Sequence, residues 1–143
     1  MTESDRFTAM MEKSAALKQR IGRELGGAVV GVVEACERSL AMGGKMMFCG
    51  NGGSAADSQH LATEMLVRLR PNNNRRPIAA LALTLDPAML TALGGDGKPA
   101  IDACDHVLLV PDTETARIQE CHIALGHAVL ELLEDRLIAS GRA

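Results

Sequence analysis

A glycine-rich turn between a short apolar run and a long helix constrains this chain more than any other feature. The stretch FCGNGGSAADSQHLATEM runs from Phe48 to Met65, and the run KMMFC over residues 45–49 predicts a buried strand that ends at the glycines. The residues after the glycines predict a helix over 54–69. A strand that leads through glycines into a helix is typical of the carboxyl edge of a parallel sheet in α/β proteins.

The rest of the chain continues the same alternation of helices and short apolar strands. Helices are predicted over residues 4–24, 28–42 and 86–93, and from Thr113 or Thr115 to about Ala139; strands are predicted over 77–83 and 107–110. This order predicts an α/β fold with a parallel sheet flanked by helices. With 143 residues we expect a single domain, 1–143, with N-terminal helices in 1–43 and the α/β core in 44–143.

Two further features of the N-terminal half set expectations for helix packing. Gly26 and Gly27 are expected to end the first helix and separate it from the second. Gly43 and Gly44 are expected to end the second helix. The first helix carries an apolar stripe, which consists of Phe7, Met10, Met11, Ala15, Leu17 and Ile21.

Charge and aromatic content argue against a nucleic-acid partner. The net charge is −3 and the only aromatic residues are Phe7 and Phe48, so the chain lacks both an excess of cations for phosphates and faces for stacking bases. The one basic cluster surrounds an Asn-rich loop and is interpreted as a solvated loop; it consists of Arg68, Arg70, Arg75 and Arg76.

The four cysteines, at positions 36, 49, 104 and 121, have no CxxC spacing. The first residues are polar and no apolar run is long enough to cross a membrane. We therefore expect reduced thiols in a cytoplasmic protein with no membrane partner.

The turn Gly50–Ser54 has the chemistry of an anion site. Backbone N–H groups at a helix N-terminus favour anions, and glycines permit close approach of a ligand. Ser54 at the helix start can cap the helix or donate to a phosphate. A purely structural turn remains the alternative.

His60 and Glu64 are four residues apart, so on a helix they share one face at about 6 Å. An imidazole and a carboxylate at that spacing suit one metal ion, or a general base beside a metal. A surface ion pair is the alternative interpretation.

The last predicted helix carries Gln119, His122 and His127 among apolar residues. Gln119 and His127 are eight residues apart, a rise of about 12 Å, so one straight helix cannot easily give both to one metal. If both serve one kind of site, a neighbouring subunit is expected to contribute, which favours an oligomer. A hydrogen-bonded core histidine is the alternative for His127.

Taken together, GGKMMFCGNGGSAADSQHLATEM and CDHVLLVPDTETARIQECHIALGH resemble the sugar isomerase (SIS) domain family, and within it the bacterial phosphoheptose isomerases. The resemblance covers roughly residues 5–96 and 97–140. It implies an SIS-type three-layer α/β fold and the interconversion of D-sedoheptulose 7-phosphate and D-glycero-D-manno-heptose 7-phosphate, a step toward ADP-heptose and the lipopolysaccharide core. It also implies a homotetramer with active sites shared between subunits.

The resemblance also assigns roles to individual residues. Glu64 and His127 would be the catalytic base and its acid/base partner, acting through an ene-diol. The implied ligands of Zn²⁺ are His60, Glu64, Gln119 and His127. The implied substrate-binding residues are Asn51, Gly52, Gly53, Ser54, Arg68 and Gln119.

One part of the family pattern has no match here. The family carries a strand that ends in a serine/threonine turn of STSGNS type, which supplies most of its phosphate site. This sequence passes from LDPAMLTALGGDG to KPAIDACDHVLLVP without such a turn, so several tens of residues of the family pattern have no counterpart.

Two non-enzymatic alternatives follow from the same resemblance. One is an SIS-fold regulator of the type that associates with the replication initiator DnaA, which lacks a glutamate at the position of Glu64; Glu64 therefore favours the enzyme. The other is a shortened pseudoenzyme that binds sugar phosphate without turnover, which the missing serine/threonine turn favours.

Overall fold

The structure, a computed structural model, describes residues 1–84 and 104–143. Its elements in these ranges are α1 (Glu3–Glu24), α2 (Gly26–Ala41), β1 (Met46–Cys49), α3 (Gly53–Leu66), β2 (Ala80–Leu83) and α4 (Thr115–Ala139). The helix predicted over 86–93 lies outside the described residues. None of the described helices is both long enough and apolar enough to span a membrane.

The junction between α1 and α2 differs from the predicted glycine break. Leu25 is the C-cap of α1 and the N-cap of α2, with its N–H donating to the Ile21 carbonyl and its own carbonyl accepting from Val29. Gly26 and Gly27 therefore form the first turn of α2, so the predicted interruption between the two helices is present but lies at Leu25, one residue before the glycines. The end of α2 is confirmed, because Gly43 has a φ of 81°, which suits glycine.

Strands β1 and β2 pair in parallel, as predicted, with Met46 opposite Ala80 and Met47 opposite Leu81. Met46 and Ala80 pack against the helical core. Met47 and Leu81 remain 61% and 47% exposed, so in this chain the two strands bury one face only. The prediction of fully buried strands is wrong for the other face, because apolar composition alone does not reveal which face a helix covers.

Residues 107–110 do not form the predicted third strand. Leu108 and Val110 pack against buried clusters while Leu109 is 65% exposed, which keeps the alternation typical of a strand. Among the described residues, the hydrogen-bonded sheet consists of β1 and β2 alone. The apolar run predicted a strand but could not indicate which of its side chains would be exposed, and Val107 and Leu109 are.

Helix α4 is the centre of the core, because it packs against the other three helices. Its buried residues meet those of α2 and α3 in one cluster, which contains Val29, Val33, Met65, Ile78, Val129, Leu130, Leu133 and Leu137. Neither Thr113 nor Thr115 caps α4; the N-cap is Glu114, and the carboxylate of Asp112 accepts from the N–H groups of Thr113 and Glu114. This packing holds α4 beside α3, the two helices that carry the candidate site.

Candidate functional site

Three of the predicted site residues converge where α3 and α4 meet. His60 and Glu64 come from α3 and His127 comes from α4, and each offers a ligand atom within 4.8 Å of the others. The Nε2 atoms of His60 and His127 are 2.9 Å apart, and the two rings are 5.1 Å apart between centroids. His60 Nε2 lies 3.5 Å from Glu64 Oε1.

The two helices are in close contact at Gly126, the residue before His127. A Cβ atom at this position would lie 2.8 Å from the Cδ1 atom of Leu61, the residue after His60. Because Gly126 has no side chain, α4 can lie directly against α3. His60 and His127 are the chain neighbours of the two residues in this contact, Leu61 and Gly126.

The three side chains fit a zinc ion by donor type and by spacing. Imidazole nitrogens and a carboxylate oxygen are typical zinc ligands, and tetrahedral bonds of about 2.0–2.1 Å place neighbouring ligand atoms about 3.4 Å apart. The observed separations of 2.9 and 3.5 Å lie on either side of that value. Histidine and carboxylate side chains together are also a ligand set found in catalytic zinc sites.

The site can be reached from solvent. The side chain of His60 is 49% exposed and that of Glu64 is 20% exposed. A carboxylate and an imidazole on facing helices, open to a small molecule, can exchange protons with it.

Gln119 lies elsewhere in this chain, against the glycine turn. A Cβ atom at Gly53 would fall 2.1 Å from the Nε2 atom of Gln119, so the amide occupies the space that a side chain at Gly53 would need. Gln119 precedes His127 by eight residues on α4, so the helical rise separates the two by about 12 Å, as expected from their spacing. Its role as a zinc ligand remains a prediction.

The glycine turn leads into α3 through a residue that requires glycine. Gly52 is the N-cap of α3 with a φ of 56°, in the left-handed region that disfavours other residues. No side chain caps the helix, so the predicted capping role of Ser54 is wrong: Ser54 is already inside the first turn, where its N–H donates to the Asn51 carbonyl. Asn51 is half-buried.

A cavity of about 330 Å³ adjoins the turn, and Ser54, Asp57 and His122 contribute to its lining. The Oδ2 atom of Asp57 is buried and has no hydrogen-bond partner in the described part of the chain. An unpaired carboxylate oxygen beside a cavity is an acceptor for ligand hydroxyls. The sequence analysis missed Asp57, because a single aspartate on a helix has no distinguishing local pattern.

Arg68 follows the end of α3 and is exposed. Its Nη1 atom donates to the Pro71 carbonyl at 3.3 Å. The guanidinium is therefore at the surface, on a residue that follows Glu64 by four positions and lies beyond the end of α3.

No protein-family model matches the chain. The chain is 33% identical to a phosphoheptose isomerase of Chlorobium phaeovibrioides, over 87% of this chain and 84% of that protein. It is 37% identical to a phosphoheptose isomerase of Paramagnetospirillum magneticum, over 72% of this chain and 81% of that protein. The first alignment spans 179 positions, more than the 143 residues of this chain, so that relative carries residues with no counterpart here.

A solved structure is similar as well. The phosphoheptose isomerase of Neisseria gonorrhoeae superposes with a TM-score of 0.76 at 28% identity, covering 94% of this chain and 100% of that chain. The comparison supports the arrangement of helices around a small parallel sheet described above.

Proposed function

This chain belongs to the phosphoheptose isomerase family, and we propose that it interconverts D-sedoheptulose 7-phosphate and D-glycero-D-manno-heptose 7-phosphate through an ene-diol. The observation that carries the proposal is the convergence of His60, Glu64 and His127 from two helices. The product would feed the synthesis of ADP-heptose and the lipopolysaccharide core.

The reaction moves a proton between C1 and C2 of the sugar. It needs a base for the carbon-bound proton and an acid for the oxygen. Glu64 takes the proton from carbon, and His127 exchanges a proton with the sugar oxygen. The 20% exposure of the Glu64 side chain leaves it accessible to the substrate while the neighbouring helix limits water.

His60, Glu64 and His127 would hold a zinc ion, and Gln119 would join them as a ligand within the assembled oligomer. When bound, zinc supplies positive charge that polarises the sugar carbonyl. His60 orients this part of the site, since its ring contacts the ring of His127 edge to face.

The sugar phosphate is held by the glycine turn and its neighbours. The proposed binding residues are Asn51, Gly52, Gly53, Ser54, Arg68 and Gln119. Because the serine/threonine turn of the family has no counterpart in this sequence, the N-terminus of α3 takes a larger part in binding the phosphate than it would in a relative.

We also propose a cytoplasmic homotetramer with shared active sites. Three apolar side chains on the first half of α1 support the oligomer, since Phe7, Met10 and Met11 are 63%, 49% and 44% exposed in the single chain. Four free cysteines support a reducing compartment.

The test is to incubate the purified protein with sedoheptulose 7-phosphate, with and without Zn²⁺, and to follow the sugar by NMR. We expect zinc-dependent conversion that falls about 10²- to 10⁴-fold in kcat for Glu64→Gln, the range that loss of a general base produces. Glu24→Gln, an exposed glutamate paired with Arg20 on α1, is the matched control and should convert at the wild-type rate.

A folded, zinc-loaded protein that does not convert the substrate would contradict the proposal. The second candidate, a pseudoenzyme that binds sugar phosphate without turnover, is favoured by the missing serine/threonine turn. It predicts saturable binding of sedoheptulose 7-phosphate in the same NMR titration with no new product signals.

A further inference from the structure

A buried arginine lies at the end of the helix that carries His60 and Glu64. Arg75 belongs to the loop between α3 and β2, which the sequence predicted to be solvated, yet its side chain is 0% exposed. It faces Glu134 of α4, whose side chain is also 0% exposed, and its Nε atom donates to Glu134 Oε1 at 2.5 Å. The prediction of a solvated loop is therefore wrong for Arg75.

The same guanidinium also binds the backbone of α3. Its Nη2 atom donates to the carbonyl of Glu64 at 2.8 Å, and its Nη1 atom donates to the carbonyl of Met65 at 2.9 Å. Carbonyls in the last turn of a helix have no partner within the helix, and a cation there also opposes the negative end of the helix dipole. Arg75 thus binds the main-chain carbonyl of Glu64, the residue whose side chain is the proposed base.

Glu134 connects this contact to the other half of the site. It follows His127 on α4 by seven residues, two helical turns, so both lie on nearly the same face of that helix. The Arg75–Glu134 pair therefore joins the main chain of α3 at Glu64 to α4 two turns beyond His127. Among the described residues, Arg75 is the one side chain that both forms an ion pair with α4 and donates to the carbonyls of Glu64 and Met65.

We propose that Arg75 is a positioning residue, which with Glu134 sets the separation between α3 and α4 and so brings His127 to His60 and Glu64. The inference takes its catalytic meaning from the proposed function, but the separation itself is a property of the metal-free chain. Arg75 acts through the main chain of α3 and touches neither metal nor substrate.

Arg70 provides a matched control. Its Nε atom donates to Glu134 Oε2 at 2.7 Å, and it also pairs with Asp135 and Glu131 of α4. It therefore contributes to the same carboxylate, and among the described residues its side chain forms no hydrogen bond or ion pair with α3. Removing Arg70 weakens the network around Glu134 and leaves the hydrogen bonds of Arg75 to α3 in place.

Two variants separate positioning from general stability. Arg75→Lys keeps the charge beside Glu134 but loses the planar fork that reaches two carbonyls at once. The double variant Arg75→Met/Glu134→Met replaces the buried pair by apolar side chains of similar length, an exchange that leaves many proteins as stable as before. Both are compared with Arg70→Met and with the wild-type chain.

The first readout is the NOE between the ring protons of His60 and His127 in the metal-free protein, together with the melting temperature. The second is the zinc dissociation constant by calorimetry, and the third is the split between kcat and KM. In both Arg75 variants we expect the NOE to be lost and kcat to fall by a larger factor than KM rises. We also expect zinc to bind about 10- to 100-fold more weakly, which is the range for residues that support metal ligands. Arg70→Met should keep the NOE and the wild-type zinc affinity.

The outcomes separate the two proposals. Arg75 variants that fold and keep both the NOE and the zinc affinity of the wild type would overturn the positioning role. A double variant that fails to fold would overturn it as well, because the pair would then be needed for the fold as a whole. If the wild-type chain neither binds zinc nor isomerises the sugar but the Arg75 variants still lose the NOE, the positioning role stands and the proposed function fails.

Discussion

His60 and His127, 67 residues apart in the chain, bring their Nε2 atoms to within 2.9 Å of each other. With Glu64 they form the only group of three or more histidine, cysteine, aspartate or glutamate side chains spaced for a metal ion in the described ranges 1–84 and 104–143.

Zinc binding should depend on both histidines. Loss of a residue that supports a metal ligand weakens metal binding about 10- to 100-fold. His60→Gln and His127→Gln each remove a ligand atom itself, so each is expected to weaken zinc binding by more than this. Calorimetric titration of the metal-free protein measures this. His122→Gln, an exposed histidine on the same helix, is the control. Equal zinc affinities in all three variants would rule out the proposed ligand set.

The contact between Gln119 and Gly53 should affect substrate binding. In Gly53→Ala the new methyl group would displace the Gln119 amide, which is the flexible end of its side chain. We expect KM to rise several-fold, and Gln119→Ala to show a similar rise. Because both changes remove the same contact, the double variant should be no worse than either single one. Steady-state kinetics with additive effects in the double variant would argue against this reading.

The stability contributed by Glu134 should be lost in acid. Burial alone raises the pKa of this carboxyl, but hydrogen bonds from Arg75, Arg70 and Asn73 outweigh burial and hold the pKa below its ordinary value. The folded pKa is thus below the unfolded value of about 4.3, so the stabilisation is complete above that pH and disappears as pH falls toward the folded pKa.

Glu134→Gln tests this pH dependence. At pH 7 the variant should lower the free energy of unfolding by about 3–5 kcal/mol, since it leaves Arg75 buried without its partner charge. Urea titrations at a series of pH values should show the gap to the wild type narrowing below about pH 4. Asp135→Asn, an exposed partner of Arg70, should cost about 1 kcal/mol or less. A gap for Glu134→Gln that stays constant down to pH 3 would contradict the assignment.

Two glycines should respond to alanine in opposite directions. Gly22 lies within α1, and a Cβ there meets no atom within 4 Å, so Gly22→Ala should raise the free energy of unfolding by about 0.5–1 kcal/mol. Gly43 has a φ of 81°, a conformation that is strained for alanine, so Gly43→Ala should lower the free energy of unfolding. Urea denaturation of both variants checks the pair; a destabilised Gly22→Ala would show that α1 packs differently in solution.

Local patterns predicted the elements of this fold well. The glycine turn, the strand before it and the helix after it lie where the sequence placed them, although α3 ends at Leu66, three residues early. His60 and Glu64 share a face because their spacing along one helix determines it. The segment 107–110 shows the limit, because a ladder needs a neighbour that the apolar pattern of one segment does not specify.

The sequence by itself therefore determined the contacts within single helices and turns, since these depend on residues one or two turns apart. The tertiary structure decided that His127 meets His60, that Gln119 lies on Gly53, and that Arg75 is buried against Glu134. The physical reason is that these pairs are separated by tens of residues, so their distances follow from how α3 and α4 pack. That packing involves the buried apolar side chains of both helices and the contact of Gly126 with Leu61.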